Sequence, residues 1–259
     1  MVAALVLLHT SPVHVPVFEA LRDRDYPGAV LRHVVVPELL DRARAEGPEA
    51  VVPALRGLLA EVGDVPVLVT CSTIGAVAES LAPERGARVL RVDRPMAAGA
   101  VRLGERIVVL AALESTLAPT RELLAEEGAG RCVSPRTQVV AGAWERFEAG
   151  DTAGYLRLVA EAADAVTDAD VIVLAQASMA DAAGLVRTRI PVLSSPAAGL
   201  AAALRGAPAL IRRAYPAGSG EGGAYGAKRR ADTAARTRTG ADPGPDAGPR
   251  TDSRPQPVP

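Results

Sequence analysis

The sequence predicts an α/β protein of two similar lobes, each a mainly parallel sheet flanked by helices. Three observations lead there. Short valine- and leucine-rich runs alternate with helix-period segments along residues 3 to 205, the pattern of strands joined by crossover helices. Some of these runs stop at polar residues just ahead of a helix signal, most clearly Val67-Leu68-Val69-Thr70-Cys71-Ser72-Thr73-Ile74-Gly75. The second half also echoes the first. Ile172-Val173-Leu174-Ala175-Gln176-Ala177-Ser178-Met179-Ala180 repeats that stretch with Gln176 where Cys71 falls, and Val89-Leu90 before Pro95-Met96-Ala97-Ala98-Gly99 is matched by Val192-Leu193 before Pro196-Ala197-Ala198-Gly199. His9 precedes Cys71 by 62 positions and Leu113 precedes Gln176 by 63, which pairs the strand ending at His9 with one ending near Leu113. Each lobe is thus expected to be Rossmann-like or flavodoxin-like. Ligands of open α/β sheets lie beyond the carboxyl ends of the strands, so the active site is expected in the cleft between the lobes.

The elements follow in order. Ala3 to Leu8 is an unbroken apolar run, read as a buried strand; a short helix follows from about Val15 to Arg22. Val30 to Val36 is valine-rich and Pro37 stops it. Glu38 to Glu46 reads as one helix and Glu49 to Val62 as another, with Leu55, Leu58, Leu59 and Val62 on one face. Pro66 to Thr70 is the third strand. The helix Ile74 to Leu81 ends at Pro83 and Gly86. Arg88 to Val92 is a strand, and Pro95 sits in the first turn of a helix through Leu103. In the second half, strands are expected at Arg106–Ala111, Thr137–Val140, Val171–Leu174 and Pro191–Leu193. Helices are expected from Pro119 to Gly128, on both sides of Gly150-Asp151, from Asp181 to Val186, and after Ser194-Ser195-Pro196. Asp151 is the N-cap expected for the helix running to Val166.

These elements divide the chain into a first lobe of residues 1–104 and 190–212, a second lobe of 105–189, and a tail of 217–259. The tail is Gly, Ala, Arg, Asp, Thr and Pro with almost no large apolar residue, and is expected to be disordered. Its Lys228-Arg229-Arg230 has acidic neighbours and reads as a solvated run.

Composition excludes several functions. The chain of 259 residues is long enough for a sizeable core. A net charge of −1 and 3% aromatic residues argue against a nucleic-acid partner or attraction to an anionic membrane. No apolar run approaches the ~20 residues of a membrane helix, and the N-terminal apolar run lacks a basic leader, so a cytoplasmic protein is expected. Two cysteines, Cys71 and Cys132, make no disulfide framework. No His, Cys, Asp or Glu cluster has metal spacing, and no glycine-rich phosphate loop joins a strand to a helix; the glycines of 218–226 lie in the tail.

The chemistry centres on Cys71. A strand that stops at Cys-Ser-Thr and turns into a helix aims backbone N–H groups and a positive dipole end at one point, which suits an anion. Cys132 has no such context and reads as structural, as do His14 and His33. His9 at a strand end is a candidate site residue. Asp93, Ser115-Thr116 and Ser194-Ser195 precede helices, where capping is the ordinary role, yet Thr116 and Ser195 would also face the cleft.

Taken together, His9-Thr10 after the first strand, Thr70-Cys71-Ser72-Thr73-Ile74-Gly75, Val92-Asp93-Arg94-Pro95-Met96 and Leu174-Ala175-Gln176-Ala177-Ser178-Met179-Ala180 resemble the aspartate/glutamate/hydantoin racemase superfamily. The resemblance covers residues 3 to 205. It implies two pseudo-symmetric lobes, no metal, no organic cofactor, a small carboxylic-acid substrate, and proton transfer at the carbon α to the carboxylate by two cysteines on opposite faces. It makes a homodimer a reasonable assembly. Cys71 matches the first cysteine. Ser72 and Thr73 match the residues that bind the carboxylate or enolate, joined as expected substrate contacts by Thr10, Thr116, Ala177, Ser178 and Ser195, with Asp93 behind them. Gln176 stands at the second cysteine's position, and an amide has no pKa near neutrality with which to carry a proton. Three readings follow: Cys71 works alone while Gln176 binds substrate, giving a one-cysteine decarboxylase or cis-trans isomerase, although the superfamily's decarboxylases carry their cysteine at the second position, which is Gln176 here; His9 supplies the second proton carrier of a racemase; or the cleft only binds a small carboxylate.

Overall fold

The computed structural model describes residues 4–206 apart from 86, 87, 130, 132 and 134. Cys132, residues 207–212 of the expected first lobe and the whole tail lie outside the described residues. The first lobe runs β1 (Ala4–His9), α1 (His14–Asp25), β2 (Val30–Val35), α2 (Glu38–Glu46), a 3-10 turn, α3 (Val52–Val62), β3 (Val67–Val69), α4 (Ser72–Ser80), α5 (Ala82–Arg85), β4 (Val89–Arg91) and α6 (Arg94–Leu103). The second runs β5 (Ile107–Ala111), a 3-10 turn at Glu114–Thr116, α7 (Leu117–Glu127), β6 (Arg136–Val139), α8 (Ala143–Glu148), α9 (Thr152–Asp164), β7 (Val171–Leu174), a 3-10 helix (Ala177–Gly184), β8 (Val192–Ser194) and α10 (Ser195–Gly206).

Both sheets are parallel throughout and have one topology: β2-β1-β3-β4 and β6-β5-β7-β8. Helices cover both faces of each, so the central strands are apolar throughout except for His9 at the end of β1; β3, β5 and β7 are buried from end to end. In the first sheet Val6, Leu8, Val67 and Val69 pack on Leu39, Leu55, Leu59 and Ile74, while Leu5, Leu7 and Leu68 face Phe18, Leu200 and Ala203.

Backbone hydrogen bonds fix how the lobes correspond. Thr70 donates to Leu8 O at 3.0 Å as Ala175 donates to Leu110 O at 2.9 Å, and Val36 donates to His9 O as Val140 does to Ala111 O, both at 2.8 Å. His9 therefore corresponds to Ala111, and the expected match with Leu113 is two residues out of register. Connections of unequal length between the paired strands produced the near-equal spacings. Cys71 and Gln176 do correspond, each at the N-cap of the segment after the third strand of its lobe.

Three other expectations change. Residues 190–194 carry β8, which pairs with β7 in register Ile172↔Val192, so they join the second sheet and not the first lobe. The chain crosses immediately afterwards, and α10 packs against the first sheet through Leu200 and Ala203. Gly199 permits that crossing, because a Cβ there would meet Val92 O at 2.5 Å. The helix expected over Glu49–Val62 is divided: Pro53 occupies the first turn of α3, behind a 3-10 turn at Pro48–Val51. The segment after Gln176 is a 3-10 helix that starts at Ala177, not an α-helix from Asp181. Among the described residues no helix is long and apolar enough to cross a membrane.

Asp151 caps α9 as expected, accepting from Gly154 N at 2.9 Å. Asp151→Ala is expected to cost about 1 kcal/mol, and Asp151→Asn clearly less, in urea-unfolding measurements.

Candidate functional site

The cleft lies between the carboxyl ends of the central strands of both sheets, where each sheet's winding reverses direction. It comprises about 470 Å³, including space open to solvent. The segment after β1 contributes Thr10, Ser11 and His14; that after β3 contributes Thr70, Cys71, Ser72 and Thr73. Opposite them stand Leu113 and Thr116 after β5, and Gln176, Ala177 and Ser178 after β7. Leu40 of α2 with Trp144 and Phe147 of α8 forms an apolar wall.

Cys71 is half-buried at the N-cap of α4, in extended backbone with φ −105° and ψ 116°. The first-turn N–H groups of α4 have no partners within the helix. Ser72, expected to bind substrate through its hydroxyl, instead directs that hydroxyl across the lobes to Ala175 O in a long 3.5 Å contact. Ser178 lines the cleft with its hydroxyl bonded to Tyr155 Oη at 2.8 Å. Burial pushes the Tyr155 phenol up to about 12, so it keeps its proton at neutral pH. Gln176 is held from one end: its Oε1 accepts from Ala112 N at 2.5 Å and Leu113 N at 3.3 Å. Its NH2 group is left as a donor at the cleft.

Among the expected site residues, Thr10, Thr73, Thr116 and Ala177 also border the cleft. Three others do not. His9 is fully buried beneath the site; its Nδ1 bonds Thr70 Oγ1 at 2.8 Å and its Nε2 bonds His33 Nδ1 at 2.8 Å. Desolvation, then the charges of His33 and His14, lowers its pKa to about 3. It cannot serve as a proton carrier on the cleft rim. Ser195 is buried after the edge strand β8, outside the cleft. Asp93, after the edge strand β4, makes no side-chain cap and does not line the cleft; both its oxygens are taken by Arg91, at 2.8 and 3.0 Å.

The sequence reading missed His14, Trp144 and Phe147. His14 opens α1 and borders the cleft with its Nδ1 buried and unpartnered, and burial lowers its pKa to about 4, so it is neutral at pH 7. Trp144 and Phe147 stack at 5.0 Å, and Arg44 of the other lobe lies 5.0 Å over the Trp144 ring. The available signal was the scarcity of such rings: the chain has one tryptophan and two phenylalanines. Among the described residues, no Asp, Glu, Lys or Arg lines the cleft.

Comparisons with known proteins agree with this fold. Aspartate racemase from Picrophilus torridus superposes with a TM-score of 0.57 at 16% identity, over 78% of this chain and 93% of that one. Allantoin racemase from Klebsiella pneumoniae gives 0.55 at 18% identity, over 78% and 86%. An arylmalonate decarboxylase gives 0.52 at 22% identity, over 78% and 91%. At these identities the likeness is one of fold. No curated protein sequence matches the chain. The sequence pattern of the Asp/Glu/hydantoin racemase family, however, matches residues 5–203, and with two parallel lobes closing on one cleft the chain belongs to that family.

Proposed function

We propose that the cleft performs proton transfer at a carbon next to a carboxylate, with no cofactor, and that Cys71 is its single proton carrier at carbon. The observation that carries this is the pairing of a half-buried thiol at a helix N-cap with a facing carboxamide whose oxygen is already tied down. Gln176 can donate a hydrogen bond from its NH2 but cannot take a proton. That favours chemistry on one face of the substrate over two-base racemisation. In a decarboxylation, the C–C bond to one carboxylate breaks and releases CO2. The electron pair passes into an enediolate on the remaining carboxylate. The Cys71 thiol then protonates the carbon, and the thiolate regains its proton from solvent. First-turn N–H groups of α4 and of the 3-10 helix, with the Gln176 NH2, stabilise the developing oxyanion.

The lining also supports a reading of the substrate class. An amino-acid ammonium would lack an acidic partner here, whereas Leu40, Trp144 and Phe147 suit an apolar substituent. The substrate is therefore a small acid with an apolar group and no ammonium. Trp144 is the only tryptophan, so intrinsic fluorescence reports occupancy. Phenylmalonate and 2-phenylpropionate are expected to change it saturably, and aspartate and glutamate are not. NMR in D2O should then show CO2 loss or deuterium at the α-carbon in a single configuration. Preferential binding of aspartate would overturn the substrate class. Racemisation would require a second proton carrier, with His14 the first to test. Saturable binding with no exchange or turnover of any acid would leave a carboxylate-binding protein.

A further inference from the structure

Beneath the cleft a line of hydrogen bonds runs out of the first lobe. Thr70 borders the cleft. His9 Nδ1 lies 2.8 Å from Thr70 Oγ1, His9 Nε2 lies 2.8 Å from His33 Nδ1, and His33 Nε2 lies 2.7 Å from Glu19 Oε1. Exposure rises along the line, from a fully buried His9 to side chains 14% exposed at His33 and 32% at Glu19. The two imidazoles stack at 5.1 Å and 15°. The groups around the line are His14 and Glu19 of α1, with Arg22 paired to Glu19 at its outer end.

Two proton arrangements satisfy this line. In the first, the Thr70 hydroxyl donates to His9 Nδ1, His9 Nε2–H donates to His33 Nδ1, and His33 Nε2–H donates to the Glu19 carboxylate. In the second, Thr70 donates to Leu8 O, 3.2 Å away, and accepts from His9 Nδ1–H. His33 then donates from both nitrogens, to His9 and to Glu19, as an imidazolium. The arrangements differ by one proton and by the tautomer of His9, and no heavy atom need move between them. His9 carries a single proton in both, consistent with the burial that disfavours its cation.

We propose that Thr70, His9, His33 and Glu19 form a proton wire that exchanges protons between the cleft and solvent while substrate covers the open side. A group in the cleft gives a proton to Thr70 Oγ1 as the Thr70 hydroxyl proton passes to His9 Nδ1. The His9 Nε2 proton moves to His33 Nδ1, which gives the second arrangement; His33 then gives its Nε2 proton through Glu19 to water, and the tautomers of His9 and His33 reset before the next transfer. The reverse sequence restores the Cys71 thiol after it has protonated carbon. The catalytic purpose rests on the function proposed above; the wire itself does not.

Two measurements separate them. Nitrogen-15 NMR of the histidines in the whole protein, followed with pH, tests the wire without any substrate. Protonation of His33 is expected to switch His9 from the Nε2–H to the Nδ1–H tautomer; a His9 tautomer that stays fixed while His33 titrates overturns the wire. The second measurement is deuterium entry from D2O into 2-phenylpropionate. Thr70→Val and His33→Gln are expected to lower that rate about a hundredfold, the low end for a positioned proton carrier, with binding by Trp144 fluorescence retained and Thr70→Ser restoring exchange. Exchange in Thr70→Val equal to the wild-type rate overturns the role in the cleft. A tautomer switch in a protein that exchanges no acid upholds the wire as a coupled unit and overturns its role in turnover.

Discussion

Cys71→Ala is expected to lower turnover at least about a thousandfold while changing stability by about 1 kcal/mol or less. The two effects separate because of where the residue stands. Cys71 is the N-cap of α4, yet its side chain caps nothing, and it is half-buried at the cleft. Its removal leaves no buried partner unsatisfied. Ile74, Val77 and Ala78, which anchor α4 in the core, remain in place. A Cys71→Ser variant is close in size but puts a far less acidic hydroxyl in place of the thiol, so it should be nearly as inactive. If proton transfer depends on this thiol, substrate should also shield it. Alkylation by iodoacetamide near neutral pH, mapped to Cys71 by peptide mass spectrometry, is expected to slow in saturating 2-phenylpropionate. Full activity in Cys71→Ala would end the proposal, and retained binding without activity would identify the thiol as the reacting group.

The fold was legible because the strands of a parallel sheet covered on both faces carry continuous apolar runs, as in Ile107–Ala111 and Val171–Leu174. The Cys71 and Gln176 turns were legible because each follows such a run directly. The surrounding site was harder, and the reasons are geometric. Residues after β4 and β8 were expected behind or at the cleft along with those after β1, β3, β5 and β7, but only these last four, the central strands, end there. Asp93 and Ser195 follow the edge strands and are buried elsewhere. His9 was misplaced because side chains alternate along a strand. It shares a face with Leu5 and Leu7, which turns its ring toward Phe18 and His33 and away from the cleft. His14 lies only five residues on but begins a helix, and that change of period brings it to the cleft. Trp144 and Phe147 come from the other lobe, at a distance along the chain that no local pattern encodes.

The largest stability effect is expected at Arg91 and Asp93. Arg91 stands on the edge strand β4 within the run Val89-Leu90-Arg91-Val92, and both side chains are 1% exposed. Nε and Nη2 of the guanidinium donate to the two carboxylate oxygens at 2.8 and 3.0 Å, and Nη2 reaches Pro119 O in the first turn of α7 at 3.5 Å. The pair therefore spans the two lobes. It also supports the cysteine turn, since a Cβ on Gly75 of α4 would lie 3.2 Å from Arg91 Cβ. Gly75 keeps that helix close against the arginine. Removing either charge strands the other in a dry interior. Asp93→Ala and Arg91→Met are each expected to cost about 3–5 kcal/mol, a fall in Tm of roughly 6–20 °C for a fold of this size. Arg91→Met/Asp93→Leu replaces both charges by apolar groups and should recover most of that loss, because the pair's attraction little more than offsets its own desolvation. If the double variant is as unstable as the singles, the link to α7 and not the charge balance is what the pair supplies. The double variant also tests the site. A flexible thioether in place of the anchored guanidinium packs less tightly beneath Gly75. The α4 N-terminus should then hold Cys71 less firmly, so turnover should fall further than stability alone explains.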